Sequence, residues 1–135
     1  MIMVDKTELT RALAEKYTVA WCSQNAASVA SCYEENGSLG VNNDPPAVGR
    51  TAITEVAQGF MTAFPDMKVS LDDFRMQDDR AVYHWTLTGT NNGPGGTGRA
   101  VRISGYEEWL IGANGLIANS RGHFDSDDYR HQLEL

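Results

Sequence analysis

Val101-Arg102-Ile103-Ser104-Gly105-Tyr106-Glu107-Glu108-Trp109-Leu110-Ile111 is the stretch on which the fold turns. Its large apolar residues Val101, Ile103, Trp109 and Ile111 share odd positions, and successive side chains of a β-strand point to opposite faces. The segment therefore predicts a strand with one face buried. Glu107 is the exception, because the same alternation puts its carboxylate among the apolar residues. Downstream, Asn114-Gly115 is a two-residue hairpin signal leading into a last strand from Leu116 to Phe124. Upstream, Met67, Val69 and Leu71, then Tyr83, Trp85 and Leu87, alternate in the same way. The second half of the chain reads as a half-buried antiparallel sheet.

Toward the N-terminus the period changes from 2 to 3.6. Leu9, Ala12, Leu13, Tyr17, Ala20 and Trp21 form an amphipathic stripe, with Asp5 and Glu8 placed to cap its start. A shorter helix follows Asn25, with Ala26, Val29, Ala30 and Tyr33 on its stripe and an end at Asn36-Gly37. After a short strand from Ser38 to Val41 comes the loop Asn42-Asn43-Asp44-Pro45-Pro46. A third helix carries Ile53, Val56, Ala57, Phe60, Met61 and Phe64 and stops at Pro65. The glycine-rich stretch from Asn91 to Gly98 lacks the Lys-Ser/Thr ending and following helix of a phosphate loop, so it reads as a hairpin connection. Asp125 to Leu133 forms a short closing segment.

A chain of 135 residues with no repeat or linker predicts one domain spanning 1–135. The formal net charge of −7 argues against nucleic acid or an anionic membrane surface as partner. No apolar run reaches the roughly 20 residues of a membrane span. Met1 to Arg11 lacks the order of a signal peptide, which predicts a cytoplasmic protein. Cys22 and Cys32 have no metal-ligand spacing, and none of the three histidines is spaced with Asp, Glu or Cys to suggest a metal site; no cofactor is expected.

Helices first and strands after predict an α+β domain. Ala63-Phe64-Pro65-Asp66, the strand ending Trp85-Thr86-Leu87-Thr88-Gly89-Thr90, the loop with Thr97-Gly98, and the Asn-Gly turn after the next strand occur in the order of a known pattern. Over residues 8 to 133 the chain resembles the SnoaL-like polyketide cyclase family of the NTF2-like superfamily, with a looser similarity to steroid delta-isomerases. The resemblance implies a cone fold, with three N-terminal helices packed on a curved antiparallel sheet around an apolar pocket. It also implies pairing of two copies through their sheets.

Glu107 is the first candidate for chemistry. Desolvation without a cationic partner raises a carboxyl pKa and suits a general acid/base; a structural carboxyl hydrogen-bonded to backbone or tyrosine is the competing reading. The resemblance puts a functional acid, usually Asp, at this position, and an oxyanion-binding tyrosine at Tyr17. Tyr17 lies on the apolar stripe of the first helix, where a buried hydroxyl needs a partner; a core tyrosine whose hydroxyl reaches the surface is the competing reading. Tyr33 aligns with a pocket tyrosine of the isomerases. Two departures weigh against simple transfer: Val41 stands where the isomerases carry their base, and Asn91 where the cyclases carry histidine.

Trp21, Phe60, Phe64, Tyr83, Trp85, Leu87, Ile103, Trp109 and Phe124 are expected to wall the pocket around a small apolar or aromatic ligand. Asn91 is a polar handle. In the last strand Ser120, Gly122 and Phe124 face inward, leaving Arg121 and His123 outside; a one-residue slip reverses this. The expected function is cofactor-independent acid/base chemistry, of cyclase or isomerase type, on an apolar carbonyl compound. A non-catalytic ligand-binding or dimerising module is the alternative. The outer sheet face, with His84, Thr86, Thr88 and Arg102, predicts a homodimer.

Overall fold

A computed structural model describes residues 5–134. Residues 1–4 of the stretch read for leader character, and the extreme ends of the 1–135 domain span, lie outside them. The elements in order are α1 (Lys6–Cys22), α2 (Ala26–Ala30), β1 (Tyr33–Val41), β2 (Ala47–Val48), α3 (Arg50–Ala63), β3 (Lys68–Gln77), β4 (Arg80–Thr90), β5 (Ala100–Ile111), β6 (Ile117–Phe124) and α4 (Ser126–Leu133). The six strands form one curved sheet in the order β2-β1-β6-β5-β4-β3. This is the α+β cone that the resemblance implied, with one junction parallel, between β1 and β6.

Asp5 caps α1 by accepting from the Thr7 amide, and the helix buries Leu13, Ala14, Tyr17, Ala20 and Trp21. α3 buries Ile53, Ala57 and Met61 from its apolar stripe. These side chains meet the odd positions of β5, where Val101, Ile103, Glu107, Trp109 and Ile111 are all buried. The strand periodicity of the quoted stretch thus defines the face that receives the helices.

Tyr33 departs from the expected second helix. α2 stops after five residues, and Tyr33 opens β1 opposite Ile117 of β6. The Arg50 guanidinium holds its carbonyl with Nε at 3.0 Å and Nη2 at 2.8 Å. Tertiary pairing overrides the local 3.6 period here, as it commonly does for short segments. The closing segment is a helix, α4, capped by Asp125, which accepts from the Asp127 and Asp128 amides. β6 leaves β5 at Gly105, and the Gln132 side chain takes up the next stretch of exposed edge by bonding both the amide and the carbonyl of Arg102.

Gly105 is paired with Trp85 on one side and Phe124 on the other. A Cβ there would lie 2.3 Å from the His123 carbonyl oxygen and 2.6 Å from Cζ2 of Trp85, so the indole and the neighbouring backbone occupy the room a side chain would need. Gly105→Ala is expected to destabilise the fold by about 1–3 kcal/mol. Thermal unfolding checks this; an unchanged melting temperature would mean that the indole is not packed across this glycine.

Candidate active site

β5 presents Glu107 to the helix-covered face between Tyr83 of β4 and Gly122 of β6. The residue is 7% exposed. Its Oε1 accepts from Ser120 Oγ at 2.6 Å, the Tyr17 hydroxyl at 2.9 Å and Trp109 Nε1 at 3.0 Å. Its Oε2 has only a second, longer contact with Tyr17, at 3.2 Å. The Tyr17 and Tyr33 hydroxyls are 2.9 Å apart, so when Tyr17 gives its one proton to Glu107, Tyr33 donates to Tyr17. Oε1 is saturated with donors. Oε2 is the oxygen left to carry or take a proton.

Among the described residues, no Lys, Arg or His forms an ion pair with Glu107. Burial therefore raises its pKa above the ordinary carboxyl value; the hydrogen bonds from Ser120, Trp109 and Tyr17 pull it back without cancelling the effect. Burial, reinforced by the charge of Glu107, also drives the hydroxyls of Tyr17 and Tyr33 well above the usual phenol range. The Tyr83 hydroxyl, raised by burial as well, is hydrogen-bonded to Thr18. Glu107 is thus the most acidic group of this cluster and the first to give up a proton as pH rises.

Glu107 borders a cavity of about 60 Å³. Its walls are Trp21 of α1, Leu39 to Val41 of β1, Val56 and Phe60 of α3, Val69 of β3, Tyr83 and Trp85 of β4, Ile103 of β5, and Gly122 and Phe124 of β6. At roughly 10–15 Å³ per water, this is room for about four to six water-sized atoms. Gly122 helps to keep the space open, since a Cβ there would sit 3.7 Å from Glu107 Cγ. Trp85 Nε1 is the only fully buried side-chain nitrogen or oxygen without a hydrogen-bond partner among the described residues.

The structure brings Trp21, Phe60, Trp85, Phe124 and Glu107 to this cavity; Tyr17, Tyr33, Ser120 and Trp109 stand behind the carboxyl. Trp109 does not line the space, because its ring is stacked on Tyr83 at 5.0 Å and edge-packed against Tyr17 at 5.2 Å. Phe64 is also set apart: it is fully buried at the C-terminal end of α3, against Tyr129 of α4 and beneath Gly89. Asn91, expected as a polar handle, instead organises the glycine-rich loop. Its amide side chain donates to the Ala63 carbonyl and accepts from the Thr97 amide, and its backbone bonds Arg99 and Gly98.

The last strand keeps the expected register. Ser120 and Gly122 face inward, while His123 lies on the outer face with Nε2 2.8 Å from Glu108 Oε1. The sequence reading passed over Leu39, Gly40, Val56 and Val69 as cavity walls. Val56 and Val69 were visible on apolar stripes, whereas β1 enters the wall through its parallel pairing with β6, for which the local sequence has no signal. Among the described residues, no three His, Cys, Asp or Glu side chains are placed to hold a metal ion.

With this geometry in view, the family follows: the model of the SnoaL-like domain matches residues 14–120, and the chain belongs to that family. None of the curated proteins compared with it matches its sequence. A structure described as a SnoaL-like polyketide cyclase from Jannaschia sp. CCS1 is similar with a TM-score of 0.86 and 13% identity, covering 98% of this chain and 96% of its own. An NTF2-like protein of unknown function from Burkholderia pseudomallei K96243 has a TM-score of 0.80 and 14% identity, covering 94% and 98%. TerC, co-crystallised with polyporic acid, has a TM-score of 0.78 and 13% identity, covering 94% and 99%. At these identities the likeness establishes the fold.

A raised carboxyl pKa has a definite consequence for stability. The contribution of Glu107 is fully present below the pKa it has in the unfolded chain and is lost as pH rises through the higher folded value. Glu107→Gln, with its amide oxygen in the place of Oε1, mimics the protonated acid and lacks this loss. The melting temperature of the variant relative to the native protein is therefore expected to rise with pH above the ordinary glutamate range. A constant difference from pH 4 to 8 would contradict the assignment.

Proposed function

We propose that this SnoaL-like protein is a cofactor-independent, cytoplasmic enzyme that moves a proton on a small apolar carbonyl compound, with Glu107 as its acid/base. The observation that carries this reading is the asymmetric carboxyl: Oε1 is held by three donors, and Oε2 is left without a short hydrogen bond in a group that borders the cavity. In the ionised form Oε2 takes a proton from carbon beside the substrate carbonyl, and the C–H electrons move into the enolate. The carboxylic acid so formed returns the proton to another atom of the same molecule. One group serving both steps fits a wall in which Val41 stands at the position where the resemblance to the isomerases puts their base.

Tyr17, Tyr33, Ser120 and Trp109 act in this scheme by fixing the carboxyl and its proton, rather than by touching substrate. Tyr17 is therefore proposed as a positioning residue instead of the oxyanion donor implied by the resemblance. TerC, a protein of this fold, was co-crystallised with polyporic acid, and this supports a small-molecule ligand here. A non-catalytic binding module is the second reading, favoured by Glu107 being the sole carboxyl or amino group among the residues lining the cavity.

We also propose a homodimer through the outer sheet face. The rows Lys68-Thr88-Arg102 and Asp73-His84-Tyr106-His123 run across that face, and of these residues α4 bonds only the backbone of Arg102, at the end of the first row. Tyr106, stacked on His123 at 4.7 Å, is 38% exposed at their centre. Light scattering at micromolar concentration is expected to give twice the chain mass; a monomer would exclude this arrangement.

Mass spectrometry of molecules copurifying with the native protein is the route to a substrate. On that compound Glu107→Gln is expected to lower turnover by about 10²-fold or more with folding retained. Unchanged turnover would refute the acid/base role, whereas ligand retained with no turnover in the native protein would favour the binding module.

A further inference from the structure

The cavity combines three features whose joint consequence is separate from proton transfer. The first is a buried carboxyl with three donors on one oxygen and no basic side chain paired with it among the described residues. Buried carboxylates ordinarily have a cation beside them, since removing an unpaired charge from water costs several kcal/mol. The second is the ring content of the wall, which includes Trp21, Phe60, Trp85 and Phe124. Trp21 and Phe60 cross at 72°, and Trp85 and Phe124 at 68°. Crossed rings form the sides of a box, whereas a flat ligand asks for a parallel slot. The third is size: about 60 Å³ admits a compact group of a few heavy atoms.

We propose that this cavity is a binding site for a small alkylammonium group, in which the cation supplies the missing counter-ion of Glu107 and its methyl or methylene surface packs on Trp21, Phe60, Trp85 and Phe124. Aromatic boxes recognise quaternary ammonium because ring faces attract a cation whose surface is otherwise apolar. Among the described residues no Lys, Arg or His lines the space, so none of these competes with the ligand. The net charge of −7 favours the approach of cations over anions.

Binding is coupled to protonation. The titratable groups facing Glu107 are the hydroxyls of Tyr17 from α1, Tyr33 from β1 and Tyr83 from β4, and burial keeps all three protonated. Glu107 alone then responds: when the cation enters while the acid is protonated, the Oε–H bond breaks and the proton leaves to solvent. This inference shares Glu107 with the proposed enzymatic role but does not require turnover.

Calorimetric titration of the native protein with tetramethylammonium chloride, alongside tert-butanol as a neutral analogue of similar shape, tests it. Tetramethylammonium is expected to bind saturably and to tighten by up to about tenfold per pH unit until Glu107 is ionised. Below that point it should release up to one proton per cation, measured by repeating the titration in buffers of different ionisation enthalpy. tert-Butanol should bind more weakly above that point and show no such tightening. Glu107→Gln should lose the preference for the cation. Phe60→Leu, which keeps an apolar wall, should weaken the cation about 2- to 30-fold more than the alcohol. Alcohol binding as tight as cation binding at every pH, cation affinity independent of pH, or full cation affinity in Glu107→Gln would each overturn the proposal. Turnover retained by Glu107→Gln would instead count against the acid/base role and leave the cation site standing.

Discussion

The Glu107 carboxyl has been withdrawn from water without being given a counter-ion, and the surrounding elements are arranged to make that tolerable. Desolvating a carboxylate costs several kcal/mol. Hydrogen bonds to a charged acceptor return roughly 1.5–3 kcal/mol each, and Ser120, Tyr17 and Trp109 provide three. These quantities are of similar size, which brings the ionised and neutral forms close in free energy. Burial tips that balance toward the neutral acid, so the carboxyl keeps its proton above the ordinary carboxyl range and can exchange it or accept a cation.

The fold serves this balance from several directions. α1 places Tyr17 against the carboxyl, and β1 places Tyr33 behind Tyr17 at 2.9 Å. β6 contributes Ser120, then Gly122, whose missing side chain leaves space beside Glu107. Trp109, two residues along the same strand as Glu107, is wedged between Tyr83 and Tyr17 and so holds its N–H toward the acid. The parallel pairing of β1 with β6 brings Tyr33, Leu39 and Val41 to a site otherwise built from β4, β5, β6 and two helices.

Much of this was legible in the sequence because period and burial coincide there. The alternation of β5 put Glu107 inward, and the face rule in β6 put Ser120 inward and His123 outward, as the structure has them. Tyr33 was misplaced because a five-residue helix followed directly by a strand carries too few turns for its period to be distinctive, and the pairing with Ile117 that decides the matter is distant in sequence. Aromatic content alone did not separate wall from core: Phe64 and Trp109 are as apolar as Phe60 and Trp21, and only packing against Tyr129 and Tyr83 removes them from the cavity. Asn91 shows the same limit for polar residues, since its side-chain hydrogen bonds go to the Ala63 carbonyl at the end of α3 and to the Thr97 amide of its own loop.

The central claim is that Glu107 is a proton-exchanging carboxyl in an apolar cavity. Carbon-13 NMR of the glutamate side-chain carboxyls across a pH titration, with Glu107→Gln identifying the resonance, measures it directly. The account predicts a Glu107 midpoint clearly above that of the exposed glutamates, in line with its burial. A midpoint at or below theirs would show a carboxylate stabilised by its three donors alone, and would contradict it.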